Sequence, residues 1–195
     1  ADQSWGLSEA GVASVTRRLA EAEKSLGDVE FVIGRASTAE ETSRLLEKAG
    51  PDAPVLAVSA DIFGLSQGVL PAVFKAGRPT VVFHLPVVCG HDWCLVNPWR
   101  EEGNRITLLA SSDLGDLERA AKWLRAIPLL RQSRVLVSPP FKGTPASQDA
   151  DQVKSRLGVE LTPIADGRYD EVLAQVDDTA AEREAKRWID EAKST

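Results

Sequence analysis

The stretch from Pro54 to Pro86, PVLAVSADIFGLSQGVLPAVFKAGRPTVVFHLP, constrains the fold more than any other part of the chain. PVLAVS is an apolar run of strand length that ends in small polar residues. Val69, Leu70, Val73 and Phe74 then recur at helical spacing. Ser66 is placed to cap that helix and Gly77 to stop it. RPTVVFHL is a second apolar run, rich in β-branched residues and entered through Pro79. Strand, helix, strand in this order predicts a right-handed parallel crossover, and a parallel sheet needs cover on both faces. In open parallel sheets ligands bind past the carboxyl ends of the strands. Those ends are Ser59–Gln67 and His84–Trp99.

The alternation continues on both sides of this unit. Ser8–Leu26 carries an apolar stripe of Val12, Val15, Leu19, Ala22 and Leu26 and ends at Gly27. Val29–Gly34, VEFVIG, reads as a short strand. Thr38 with Glu41 three residues later is a capping box for a helix that carries Leu45 and Leu46 and ends at Gly50-Pro51. Pro86–Asn104 reads as a long loop that holds both cysteines, His91, Trp93 and Trp99. Arg105–Ser111 is a strand, followed by a helix from Leu117 to about Gln132, capped by Ser112 or Asp113. Pro128 is placed to kink or break that helix. Arg134–Ser138 is a strand, PPFKGTP a loop, Gln148–Leu157 a helix and Val159–Ile164 a strand. Asp178–Lys193 is a closing helix with a thin stripe of Ala181, Ala185, Trp188, Ile189 and Ala192. Alternating strands and helices predict an α/β protein with a parallel sheet. The chain opens on a helix and contains no Met, which leads us to expect a further strand upstream of Ala1.

Composition excludes several partners. Net charge is −6 with no Lys/Arg block, which argues against a nucleic-acid or anionic-membrane surface. No apolar run approaches the roughly 20 residues of a membrane span. Two cysteines are too few for a disulfide framework, and Ala1 opens no signal-peptide pattern. A cytoplasmic protein is the expectation.

Three constellations could carry chemistry. Gly64-Leu65-Ser66-Gln67-Gly68 matches G-x-S-x-G. A hydrolase elbow needs the strand to lead straight into the turn, with an acid between Ser and His in chain order. Ser66 stands several residues past its strand, and no acid lies between it and His84 or His91. A helix cap with flexible glycines explains it better. His84, Cys89, His91 and Cys94 fall within one short stretch and are ligand types for zinc. Their spacing is irregular, and we expect no tightly bound zinc. A strand-end histidine with two small buried thiols, or a binding loop without metal, are the other readings. Trp93, Asn97, Trp99 and Arg100 could bind a sugar, the indoles stacking on its C–H faces and Asn and Arg binding hydroxyls. The tryptophans could equally anchor the loop or a subunit interface. Neither G-x-G-x-x-G nor a phosphate loop is present, since Lys142-Gly143-Thr144 has Val137 where such a loop has glycine.

Taken together, PVLAVSADIFG, AVFKAGRPTVVFHLP, WLRAIPLLRQSRVLVSPPFKG and VKSRLGVELTPI resemble the amino-terminal half of the L-fucose isomerase/L-arabinose isomerase-like sugar isomerases. Lys154, Leu157, Gly158, Val159 and Glu160 fit the segment that ends the first helix of that family's second domain. The resemblance implies aldose–ketose interconversion at a divalent metal, commonly manganese. The family's metal and acid/base carboxylates lie later in a longer polypeptide, so no catalytic or metal-binding residue carries over. The resemblance also implies a homo-oligomer in which the first domain contacts a neighbour's site. Trp93 or Trp99 would stack on the sugar, with Asn97 and Arg100 beside it. The Cys/His-rich loop departs from the family.

The expectation is therefore a three-layer, flavodoxin-like α/β domain over residues 1–132 and the start of a second α/β domain over 133–195. Its expected function is the recognition and subunit-contact portion of a carbohydrate isomerase, inactive alone. A sugar-binding or sensor module without chemistry is the alternative, and a Ser hydrolase the third.

Overall fold

The structure, a computed structural model, describes residues 7–59, 68–86, 93–101, 105–137, 149–165 and 167–193. The first helix, α1 (Glu9–Leu26), starts where Ser8 Oγ accepts a hydrogen bond from the Gly11 amide at 3.2 Å. It stops at Gly27, whose φ of 73° lets its N–H reach the Glu23 carbonyl at 2.9 Å. The capping box of α2 (Ala39–Ala49) forms with one difference. Thr38 Oγ1 accepts from the Glu41 amide at 3.2 Å, but the Glu41 carboxylate accepts from Ser37, at 2.6 Å.

The expected strand Val29–Gly34 between these helices is not one: it enters no ladder. The Phe31 amide instead donates to the Glu23 side chain, and Val32 and Ile33 stay 42% and 43% exposed. Strand composition without a partner chain beside it does not make a strand. Gly34 lies against α2, where a Cβ would come within 2.2 Å of Leu45 Cδ2.

The central unit forms as β1 (Val55–Ser59), α3 (Val69–Lys75) and β2 (Thr80–His84). It continues through α4 (Trp93–Glu101), β3 (Ile106–Ala110) and α5 (Asp116–Gln132). The strands lie in the order β1-β2-β3, all parallel, with Val55 opposite Thr80 and Thr80 opposite Ile106. Every residue of β2 is buried, because the central strand is covered on both faces. Val81 and Phe83 pack with Val15 and Leu19 of α1 and with Leu117, Ala120 and Leu124 of α5. Val82 turns the other way, onto Leu70, Val73 and Phe74 of α3 and Val96 of α4. Two right-handed crossovers that step in the same direction place their helices on the same face, as α3 and α4 are. Full burial of Phe83 contributes about 1.5–3 kcal/mol. The architecture is α/β, mostly helical, around a small parallel sheet of three strands.

Three local expectations need correction. Ser66 lies outside the described residues, and the N-cap of α3 is Gly68, which makes no side-chain cap bond. The helix starts there without a cap; Pro71 in its first turn costs nothing, since first-turn amides have no helical partner. The stretch from Pro86 to Asn104 is not a loop throughout, because Trp93–Glu101 is α4, with Pro98 inside it. Val96 and Trp99, three residues apart, turn that helix onto the α3 cluster, and the packing outweighs the single amide lost at Pro98. Pro128 does not break α5, which runs from Asp116 to Gln132.

The chain divides into two compact units, Ala1–Pro128 and Leu129–Thr195. In the second, β4 (Arg134–Val137) pairs in parallel with β5 (Glu160–Pro163), joined through α6 (Ala150–Leu157). Asp149 caps α6 through the amides of Asp151 and Gln152, at 3.0 and 3.1 Å. Gly158, at φ 77°, ends it. Two further helices follow, α7 (Arg168–Leu173) and α8 (Asp178–Lys193). Among the described residues of this unit Val159 is the only buried apolar side chain, whereas Leu136 is 68% and Trp188 64% exposed.

Candidate functional site

The carboxyl end of the three-stranded sheet is a single row. Ser59 lies opposite His84, and His84 opposite Ala110. All three share the α3/α4 face, because they alternate with Val58, Phe83 and Leu109, which pack on the other side. The ladder continues past the row: the Leu85 amide donates to the Ser59 carbonyl at 2.8 Å, and the Ser111 amide to the His84 carbonyl at 3.0 Å. The His84 backbone is thus held from both neighbours. Its imidazole is 3% exposed, and Nδ1 meets no hydrogen-bond partner among the described residues. Ser59 is buried and Ala110 exposed.

Past the end of β3 the polar groups are occupied with starting α5. Ser111 Oγ donates to Asp116 Oδ2 at 2.6 Å and accepts from the Asp113 amide at 3.1 Å. Asp113 Oδ1 accepts from the Gly115 amide at 2.7 Å, and Arg119 pairs with Asp116 at 3.2 Å. Of the two expected caps, it is Asp113 whose side chain takes part. This network satisfies the Asp113 and Gly115 amides of the turn that leads into α5, which is a structural use of its polar groups.

The residues proposed from sequence for sugar recognition divide on α4. Trp99 is half-buried: its ring meets Phe74 with centroids 5.4 Å apart at 53°, and it packs on the cluster around Val96. Asn97 and Arg100 are exposed and lie three residues apart, so they neighbour each other along the helix surface. The side chain of Trp93 lies outside the described residues, as do Gly64, Cys89, His91 and the side chain of Cys94. The four-residue His/Cys constellation is therefore represented by His84 alone. Among the described residues no group of three or more His, Cys, Asp or Glu side chains could hold a metal ion, so these residues offer no donor set for manganese. What sequence reasoning missed is the isolation of His84 Nδ1. The only signal for it was a histidine closing a strand otherwise made of apolar and β-branched residues. Among the described helices none is long and apolar enough to cross a membrane. Comparison with known protein families and with curated proteins finds nothing that matches this chain.

Proposed function

We propose that this chain is the substrate-recognition and subunit-contact portion of a carbohydrate aldose–ketose isomerase, a flavodoxin-like three-layer domain followed by the start of a second α/β domain. The observation that carries the reading is on α4: Asn97 and Arg100 stand exposed side by side, while Trp99 packs its half-buried indole against Phe74. An amide and a guanidinium on one rigid surface supply donors and an acceptor for the hydroxyls of a sugar. The exposed Leu136, Tyr169 and Trp188 of the second unit support a role in subunit contact, since large apolar side chains on a surface commonly mark interfaces. Enolisation needs a base near the carbonyl and an electrophile on its oxygen. In this reading both belong to other parts of the assembled enzyme, and so does the divalent metal.

The test is titration with L-fucose and L-arabinose, followed by tryptophan fluorescence. Saturable binding is expected, weakened about tenfold by Asn97→Ala or Arg100→Ala, the value of one hydrogen bond at the strong end of its range. Both side chains are exposed, so melting temperatures should stay the same. No saturable response to any aldose or ketose would overturn the reading.

A further inference from the structure

We propose that His84 receives a hydroxyl group of a bound polyhydroxylated small molecule, its Nδ1 forming with the ligand the hydrogen bond that it lacks among the described residues. The inference rests on the sugar reading above and goes beyond it, because it places a contact on the sheet itself and not on α4.

Four observations converge on this imidazole. It closes the central strand at the sheet end where parallel α/β proteins bind their ligands. It is 3% exposed with Nδ1 unpartnered among the described residues, and a buried polar atom of that kind calls for a partner. Its register neighbours, Ser59 and Ala110, are both small, so on this face the imidazole is the longest side chain of the row. Its backbone is fixed by the ladder, through its own carbonyl to Ser111 and through Ser59 to Leu85, so a ligand would meet a group already in place.

The chemistry of the partner follows from the atom. A neutral imidazole nitrogen is a donor in one tautomer and an acceptor in the other, and a hydroxyl serves either. A phosphate or carboxylate could use only the tautomer that carries Nδ1–H, and the chain's net charge of −6 works against an anion. A neutral polyol is the ligand class that fits. A site built around one such bond should also reject an analogue that lacks the hydroxyl.

The chain has two histidines, so labelling with 15N-histidine gives two sets of ring resonances, assigned with His91→Gln. L-fucose, L-arabinose and inorganic phosphate are titrated in turn, with tryptophan fluorescence read in parallel. The expected result is a saturable shift of His84 Nδ1 with the sugars, at the midpoint that fluorescence reports. His84→Phe should bind about tenfold more weakly while melting at the same or a higher temperature, because it removes an unsatisfied polar atom and keeps the ring volume. If fluorescence saturates and His84 Nδ1 stays still, the sugar reading stands and this inference falls. If neither signal responds to sugars, both fall. A shift with phosphate alone overturns the assignment to a hydroxyl. Normal binding by a destabilised His84→Phe makes the histidine a core residue. Should that variant not fold, the labelled wild-type chain decides.

Discussion

The guanidinium of Arg125 holds the Asp28 carboxylate with both of its edges, Nε to Oδ1 at 2.7 Å and an Nη to Oδ2 at 2.9 Å, across 97 residues of sequence. Close by, Ser25 Oγ donates to Glu118 Oε1 at 3.2 Å. The carboxyl end of α1 is thus bound to α5 by polar groups at the rim of the core they share. The bond from Arg125 holds the Asp28 carboxyl below its ordinary value, and Asp28 in turn raises Arg125. Glu118 is lowered as well, chiefly by its bond to Lys122.

A carboxyl whose folded value is depressed adds stability that is fully present above its unfolded value, near 3.9, and that is lost as pH falls through the folded value. Asp28→Asn should therefore melt below wild type at neutral pH, and the two curves should converge as the pH falls below about 4. Both partners are solvent-exposed, so the gap will be small. Thermal melts across the acid range measure it; a gap that persists at the acid end would mean that charge is not what the pair contributes.

Two glycines separate backbone strain from collision. Gly27 and Gly158 both have positive φ, at 73° and 77°, but a Cβ on Gly27 would meet nothing within 4 Å. On Gly158 it would lie 2.5 Å from Arg131 Cγ and 3.1 Å from Arg131 Cα. Gly27→Ala should cost about 1–2 kcal/mol, the strain of the left-handed region. Gly158→Ala should cost a further 1–3 kcal/mol, roughly the penalty of overpacking. Equal losses in urea unfolding would show that Arg131 moves aside freely.

The helix starts make opposite predictions. Thr38→Ala removes a working cap and should cost about 1 kcal/mol. Gly68 stands before α3 in right-handed helical backbone, and a Cβ there would meet Ala39 N at 3.7 Å, an ordinary van der Waals contact, so Gly68→Ala should raise stability by about 0.5–1 kcal/mol. Chemical denaturation of the two variants side by side checks both signs.

Gly34 and Leu45 should be coupled. Gly34→Ala alone forces the Leu45 side chain aside and should cost about 1–3 kcal/mol. In a Leu45→Ala background the same change should cost close to nothing. A double-mutant cycle that proves additive would show that the contact does not constrain the segment after α1.

Much of this fold was legible because its signals are local. The stripe from Val15 to Ala22 and the caps at Ser8 and Thr38 specify helices within a few residues, and the β-branched run at Thr80–Phe83 specifies a buried strand. Two of the misreadings share one cause: a distant partner decides the outcome. Val29–Gly34 has the composition of a strand but no ladder. The α4 segment carries a proline and looked irregular, yet it coils because Trp99 finds Phe74, a residue of another helix. The short helix α7 gave no warning because it buries none of its side chains. At the candidate site, alternation in the sequence gives the face of His84. That Ser59 and Ala110 flank it is set by strand register, which no local pattern reports.

The register of the sheet also dictates an order of assembly. Val55 meets Thr80 and Thr80 meets Ile106, so each strand pairing closes a loop of about 25 residues. The α1–α5 face closes one of 97. That loop is roughly four times longer, and at about 0.6 kcal/mol per doubling it carries an extra entropic cost near 1.2 kcal/mol. The sheet with its α3/α4 side should thus form first, and α1 should dock onto it late. Contacts made after the rate-limiting step affect escape from the native state more than entry into it. Leu19→Ala should accordingly speed unfolding and leave the folding rate nearly unchanged, whereas Val82→Ala should slow folding, so that the first helix sets how long the folded domain lasts and the central strand how quickly it is made.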